Sequence, residues 1–336
     1  MKIGAVDIND RARHGEVQIS RRPPELAPKT AFEPTARRRW VTLRKYADLL
    51  TISRLSYKSL ISRHFKDGTL REPVRVMPTV ATVIDLKVPE SWPADLLAYL
   101  IKHHSLFLDW ESTPTHVAAS AYDRAIYGLR DVLQQYAITG WHCTRLTEVE
   151  MAAITADGIQ LPDAAMLSRR IDRLLGAGLV TEAIADNLKA NNLAHEQSRA
   201  GKVWFCFFPP HVGRESGIGR FFHYWGGEAL YVCHERDPQT AAVISSIGVP
   251  CLVEADVPIA SLEPNGGLSF KIVRRFLINR GYQTGEPVDH EDRIKRPLPA
   301  ENVRRIIPFP HADFVTLTGC ADWKDPLRAV LSLKGV

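Results

Sequence analysis

Three short segments in the C-terminal two thirds of the chain contain side chains that could take part in chemistry. They supply His142, Tyr231 and Glu291, which are separated by about ninety and about sixty residues. An imidazole can hydrogen-bond a hydroxyl group, a phenol ring can stack on a planar group, and a carboxylate can stabilise a developing positive charge. Each residue also has an ordinary structural explanation, as a strand-end histidine, a core-strand tyrosine or an exposed glutamate.

Local signals define the elements that position these residues. A short apolar run enters His142 and predicts a strand that is followed by a polar loop. Thr147 and Glu150 have the spacing of a helix capping box, and Gly158 is suited to end that helix. Further along, the glycine pair at 226–227 predicts a turn, and residues 229–231 predict a strand that ends in Tyr231.

The order of these residues resembles the His-Tyr-Glu signature of ADP-ribosyltransferases, enzymes that cleave NAD at its nicotinamide bond. The first strand of that superfamily carries a His, then usually Gly and a Ser or Thr, and the following helix ends in Gly-Leu or Gly-Ile. His142, Thr144 and Gly158-Ile159 match this pattern, whereas Cys143 stands where Gly is common. The glycine turn and the Tyr231 strand, with a helix at 237–247 and an apolar strand at 251–259 after them, resemble the poly(ADP-ribose) polymerase branch.

The resemblance implies a role for each matched residue of the first and third segments. His142 would hydrogen-bond a ribose hydroxyl of NAD, the backbone of Cys143 would hold the nicotinamide carboxamide, and the Thr144 hydroxyl would brace the ribose. Glu291 would be the catalytic carboxylate that stabilises an oxocarbenium-like charge on the ribose. It would begin one strand of a closing hairpin whose other strand is residues 302–309.

The second segment and the region before it would complete the binding site. Tyr231 would stack on the nicotinamide, and Gly227 would allow a close approach of the backbone to the ligand, or would only form a tight turn. A glycine-rich basic loop is predicted at residues 211–220. Four arginines are candidates for the pyrophosphate: Arg169, Arg170, Arg214 and Arg220. Glu254 and Glu286 are alternatives to Glu291, because a sequence pattern defines element boundaries only to within about 2–4 residues.

The predicted fold class is α+β. An ADP-ribosyltransferase-like domain at residues 137–336, with split antiparallel sheets around an NAD cleft, follows a basic, proline-containing arm at 1–36 and a mostly helical region at 37–136. Within that region we predict a strand at 78–89 and helices at 91–108 and 115–136, the former with Ser91 as its N-cap. Residues 164–192 contain two further helical patterns, and residues 202–210 form an apolar strand.

Charge and composition narrow the function classes. Residues 1–75 carry 17 Lys or Arg against 8 Asp or Glu, although the whole chain has a net charge of only +5. Such a tract attracts polyanions, although a solvated tail has the same composition. The five cysteines are far apart and suggest neither a disulfide framework nor a zinc site, so we expect buried apolar thiols and no metal. Without a signal peptide or an apolar run of membrane-spanning length, we expect a cytoplasmic protein.

The leading hypothesis is an NAD-dependent ADP-ribosyltransferase that modifies a macromolecule, with nucleic acid favoured over protein as the acceptor. NAD would be its co-substrate, and the family leads one to expect a bacterial toxin or a phage-defence effector, with an inhibitor or antitoxin protein as a partner. Two alternatives stay open: an NAD glycohydrolase that uses the same pocket, and a non-catalytic nucleic-acid-binding protein. In the latter, the basic helical pattern of residues 37–65 would be the active module.

Overall fold

The computed structural model describes residues 81–263, 267–285 and 289–327. All of these residues belong to one unit of the chain. The predicted arm at 1–36 and the basic helical pattern at 37–65 lie outside the described residues.

The described residues form six strands and eleven α-helices. The strands are β1 (Val83–Ile84), β2 (Ala137–Leu146), β3 (Val203–Cys206), β4 (Val249–Pro258), β5 (Glu291–Ile294) and β6 (Val303–Pro308). The helices are α1 (Ala94–Lys102), α2 (His104–Ser112), α3 (Ala119–Leu133), α4 (Glu148–Asp157), α5 (Ala164–Gly176), α6 (Glu182–Ala190), α7 (Arg214–His223), α8 (Glu228–His234), α9 (Pro238–Ser246), α10 (Gly267–Asn279) and α11 (Ala312–Thr318).

The strands join in one six-stranded sheet with the order β5-β3-β2-β4-β6, and β1 pairs with the start of β2. Every neighbour along that path is antiparallel, whereas β1 is parallel to β2. The α+β class is therefore confirmed. The predicted hairpin is wrong, because β5 pairs with β3 and β6 pairs with β4 on the opposite side of the sheet. In the described residues the strands belong to a single sheet and not to two.

Both faces of the sheet are covered. Ile138 and Val253 face the core formed with helices α1 to α3 and α10, whereas Trp141 and Leu252 face helices α7 and α11. Side chains alternate between the faces of a strand, so neighbouring residues of β2 enter different cores. The helices of residues 94–133 share a hydrophobic core with β2 and β4. The domain boundary predicted between residues 136 and 137 therefore separates two parts of the chain that pack into one core.

Two predictions in the middle of the chain are wrong in element type. Residues 228–234, predicted in part as a strand that ends in Tyr231, form helix α8, which starts after Gly227 at a φ of 62°. The predicted loop at 211–220 is largely helix α7, because Ile218 and Phe222 bury one side of it against the sheet. Burial of an apolar stripe outweighs the weak helix propensity of glycine here.

The N-terminal predictions need smaller corrections. The single helix predicted at 91–108 is two helices that meet at His103, and α1 starts after Pro93 without a side-chain cap from Ser91. Within the described part of the strand predicted at 78–89, only Val83–Ile84 is a strand. The helix predicted at 115–136 is confirmed as α3.

Several local signals are confirmed. Thr147 and Glu150 form the capping box of α4, and Gly158 ends that helix at a φ of 76°. The helix predicted at 237–247 is confirmed as α9, which Asp237 caps, and the apolar strand predicted after it is β4. The first strand is longer than predicted, however, since β2 continues through His142 to Leu146 and leaves no polar loop. None of the described helices is long and apolar enough to cross a membrane.

Candidate active site

A cavity of about 740 Å³ opens beside β2, β3 and the first residue of β5. Helices α4 and α5 form one wall of the cavity, and helices α7 and α8 contribute to another. Its volume falls in the range of roughly 300–1,000 Å³ that is usual for small-molecule sites. Eight of the site residues predicted from the sequence line it: His142, Cys143, Thr144, Arg169, Arg170, Gly227, Tyr231 and Glu291. Arg214 is not among the lining residues.

The cavity begins where β2 and β3 separate. The two strands share one register pair, Trp141 with Cys206, whereas β2 and β4 remain paired along their whole length. At the next residue the Nδ1 atom of His142 donates a hydrogen bond of 2.9 Å to the Trp204 carbonyl oxygen. The His142 side chain therefore takes the place of a backbone hydrogen bond in the gap between the strands.

The protonation of His142 follows from these surroundings. Burial lowers its pKa, the Arg170 charge lowers it further, and the hydrogen bond to Trp204 opposes both. The ring is therefore neutral at pH 7, with its proton on Nδ1 and a free electron pair on Nε2. A neutral imidazole in this tautomer can accept a hydrogen bond from a hydroxyl group.

The next two residues of β2 lie on opposite faces. Thr144 shares the partly exposed face of His142, whereas the Cys143 thiol is buried on the other face. A hydrogen bond with Cys206, burial and the charge of Glu291 together raise the Cys143 pKa well above its ordinary value. Cys143 is therefore a neutral thiol at physiological pH. The cysteines of the described residues are free. The expectation of buried thiols is wrong for Cys206, which is half-buried, and for Cys233, which is exposed.

Glu291 is the first residue of β5, as predicted, and is exposed. It lies opposite Cys206, with 3.9 Å between Oε1 and the Cys206 Sγ. Its neighbours His290 and Asp292 are buried, because the alternation of the strand turns them to the other face. Alternation thus leaves one carboxylate of this segment directed at the cavity.

The alternative carboxylates differ from Glu291 in their surroundings. Glu254 on β4 is buried and forms ion pairs with Arg304 and Arg305 of β6, and it does not line the cavity. Its pairing is that of a structural residue that ties two strands together. Glu286 lies outside the described residues.

Tyr231 lines the cavity from α8 and is 6% exposed. Phe221 meets its ring edge-on at 5.8 Å, Tyr224 lies at 6.2 Å, and the Arg220 guanidinium is 5.6 Å from its centroid. Burial, the largest effect, and the nearby charge of Glu228 raise its pKa. Tyr231 therefore presents a neutral ring that is held in place by other aromatic side chains.

The four arginines predicted for the pyrophosphate divide into two groups. Arg169 and Arg170 of α5 line the cavity, whereas Arg214 and Arg220 of α7 do not. Arg220 instead forms an ion pair with Glu235. Arg214 was predicted to lie on a loop, but it is the first residue of α7 and does not line the cavity.

The sequence did not reveal a polar network in the cavity wall. Glu150 accepts hydrogen bonds from Arg170 Nε at 2.6 Å, from Trp225 Nε1 at 3.0 Å and from the Thr147 backbone at 2.9 Å. The Arg170 guanidinium also lies 4.5 Å from the ring centroid of Trp225, which is fully buried. The capping box located Glu150, but nothing in the spacing indicated its two partners from α5 and from the loop before α8.

Replacing Glu150 by Gln should lower the free energy of unfolding by about 2 kcal/mol, because the partly buried Arg170 loses its counter-charge. Burial alone would raise the Glu150 pKa, but the positive charge of Arg170 and the hydrogen bonds from Arg170, Thr147 and Trp225 lower it overall. The carboxylate therefore stabilises the fold above its unfolded pKa, and this contribution disappears as the pH falls through the folded pKa. Urea unfolding at pH 7 and pH 3 measures both effects.

Glu148→Gln is the matched control for this variant, since Glu148 is exposed in the same first helical turn. It should change the stability by less than about 0.5 kcal/mol. Equal losses in the two variants would mean that the helix terminus, and not the Arg170 contact, is responsible.

No family model matches the chain, and no curated protein and no solved structure gives a significant match. In the described residues no group of three or more His, Cys, Asp or Glu side chains could hold a metal ion. The cavity and its residues are therefore the features of this chain that indicate a function.

Proposed function

We propose that this protein is an NAD-dependent ADP-ribosyltransferase that modifies a macromolecule, with nucleic acid ahead of protein as the acceptor. The observation that carries the proposal is the meeting of His142, Tyr231 and Glu291 at one cavity. These residues come from three elements that are far apart in the sequence, and their order along the chain resembles one signature. Cys143, Thr144 and Gly227 line the same cavity.

The proposed reaction breaks the bond between C1′ of the ribose and the nicotinamide nitrogen. The bonding electron pair leaves with nicotinamide, positive charge develops on the ribose, and an oxygen or nitrogen of the acceptor forms the new bond to C1′. The acceptor's proton passes to solvent. Glu291, an exposed carboxylate at the cavity, would stabilise the developing charge through the ribose 2′-hydroxyl.

Two other residues would hold the substrate. Nε2 of a neutral His142 can accept a hydrogen bond from a ribose hydroxyl, since Nδ1 is committed to Trp204. Tyr231 would border the nicotinamide, although only a small part of its ring is exposed. Because His142 is fixed between two strands, it would bind the ribose with little loss of side-chain entropy.

Arg169 and Arg173 are the best placed side chains for the pyrophosphate. They are one helical turn apart on α5, both are exposed, and both line the cavity. The double variant Arg169→Gln, Arg173→Gln should raise the KM for NAD about tenfold and leave kcat within about threefold, because these contacts are remote from the breaking bond. A loss confined to kcat would contradict this role. Arg124→Gln, an exposed change on α3, is the control.

The test of the proposal is incubation of the full chain with NAD that is labelled on the adenylate. Cell lysate is added with and without nuclease or protease, and free nicotinamide and the label in each polymer are measured. Nicotinamide release with label in a polymer supports the proposal and identifies the acceptor class. Release with free ADP-ribose alone indicates a glycohydrolase, and no NAD turnover rejects both.

A further inference from the structure

Trp204 is an exposed aromatic side chain in the interior of the sheet. It lies on β3, between β5 and β2, and is 43% exposed although Val203 and Phe205 beside it are buried. A single exposed aromatic is common on protein surfaces and has no meaning by itself. The surroundings of Trp204 are what distinguish it.

Three cations surround Trp204. Arg293 lies directly opposite on β5, and its guanidinium is 4.7 Å from the indole centroid. Lys202 is two residues before Trp204, and Lys295 is two residues after Arg293. Because side chains alternate between the faces of a strand, all four side chains lie on the same face. Glu263 forms ion pairs with Arg293 and Lys295 and neutralises one of the three charges.

The pKa of Lys202 is affected by this excess of positive charge. Burial and the charges of Arg293 and Lys295 lower its pKa. An anion bound between these residues would relieve that repulsion.

The surface continues to the predicted catalytic residue. Trp204 lies opposite Arg293, and two residues further along the same strands Cys206 lies opposite Glu291. Trp204 and Glu291 are therefore diagonal neighbours on one face of the sheet. Such neighbours lie about 7–8 Å apart. Lys202, Trp204 and Glu291 all line the cavity. A polymer with one group stacked on Trp204 would therefore have its neighbouring residues beside the Glu291 carboxylate.

We propose that Trp204, Lys202, Arg293 and Lys295 form the acceptor surface and bind single-stranded nucleic acid. An unpaired base would stack on the indole, and the phosphates on either side would contact the cations. A duplex does not offer a free base face. An acidic peptide would satisfy the cations but would leave the exposed indole unused. The binding is independent of NAD, whereas its role in transfer rests on the proposed function.

The test is the affinity of the full chain for a fluorescent oligothymidylate of about 15 nucleotides, a length typical of single-strand sites, measured by anisotropy. Trp204→Ala should raise the Kd about tenfold or more, and Trp204→Phe should retain most of the affinity. Tyr127→Ala is the matched control: Tyr127 is 51% exposed on α3, and the Arg130 guanidinium lies 5.3 Å from its ring. This variant should bind as the unchanged chain does.

Salt dependence and competition separate this surface from the basic N-terminal tract. Lys295→Gln should reduce the slope of log K against log salt by about 0.7, the value for one contact to a single strand. Equal affinity of the Trp204→Ala and unchanged chains would overturn the proposal, as would competition by polyglutamate as strong as that by the oligonucleotide. Failure of the transferase proposal would instead be seen as absent nicotinamide release, which this binding assay does not use.

Discussion

Replacing Glu291 by Gln is expected to lower the rate of nicotinamide release from NAD by about 10²–10³-fold, with little change in the KM for NAD. The physical reason is that the proposed carboxylate acts on a charge that is present only in the transition state. Removing one group of this kind typically costs about 10²–10³ in kcat. Gln has almost the same shape as Glu, so the loss would come from the charge and not from altered packing.

The fold should tolerate this substitution. Glu291 is exposed, and Cys206 lies 3.9 Å from it with a weakly polar thiol. We therefore expect the free energy of unfolding to change by less than about 0.5 kcal/mol. Steady-state kinetics and urea unfolding on the same preparation provide the two measurements.

Glu301→Gln is the matched control for Glu291→Gln. Glu301 is an exposed glutamate in the link before β6, and it does not line the cavity. Its replacement should leave nicotinamide release unchanged. Full activity of the Glu291→Gln variant would remove Glu291 from the mechanism. Such a result would not transfer the role to Glu254, which is held by two arginines of β6 and does not line the cavity.

The helices and strands that were predicted correctly are marked by sequence signals that lie inside the element or next to it. Thr147 and Glu150 are three residues apart, and Asp237 directly precedes the helix that it caps. Residues 250–255 of β4 are all buried, as expected for a strand that is covered on both faces. Each of these patterns is local, so the sequence alone was sufficient.

The failures depend on partners that are distant in sequence. Residues 228–234 resemble a short apolar strand, but Leu230 packs with Trp225 and Ile244 into a small helical core that includes α5 and α6. The same distance explains why β5 and β6 were wrongly paired, since hydrophobic patterns do not specify which strands are neighbours. Glu150 illustrates the limit at the site, because its role in the cavity wall depends on Arg170 and Trp225.

A wrong prediction of the secondary-structure element did not always place a residue outside the cavity. Tyr231 lies on a helix and not on the predicted strand, yet it still lines the cavity with His142 and Glu291. Arg214 was placed by an incorrect loop, and it lies outside the cavity. Tyr231 therefore reaches the cavity from a different element than predicted, whereas the prediction for Arg214 depended on the loop at 211–220, which is largely helix α7.

Gly158→Ala is expected to lower the free energy of unfolding by about 3–5 kcal/mol. The sequence identified Gly158 only as the end of α4, but its surroundings impose a second requirement. A Cβ atom at this position would lie 2.0 Å from the Leu298 carbonyl oxygen and 2.6 Å from the Pro299 carbonyl carbon. Strain from its φ of 76° and overpacking against backbone atoms each cost about 1–3 kcal/mol.

Gly178→Ala separates these two costs. Gly178 has a similar φ of 69°, but no atom lies within 4 Å of the place where its Cβ would be. We expect this variant to lose about 1 kcal/mol, from backbone strain alone. Urea unfolding of both variants gives the difference between their free energies of unfolding. Equal losses would mean that the close approach to Leu298 does not contribute to the cost.

The Gly158 variant also tests how the cavity is held together. Ile159 and Leu298 exchange two backbone hydrogen bonds of 2.8 and 2.9 Å, which tie the end of α4 to the chain that follows β5. Gly158 and Ile159 line the cavity, and Glu291 lies at the start of that same β5 segment. A side chain at Gly158 would push these two segments apart. Gly158→Ala protein that remains folded should therefore release nicotinamide more slowly than Gly178→Ala protein of equal folded fraction.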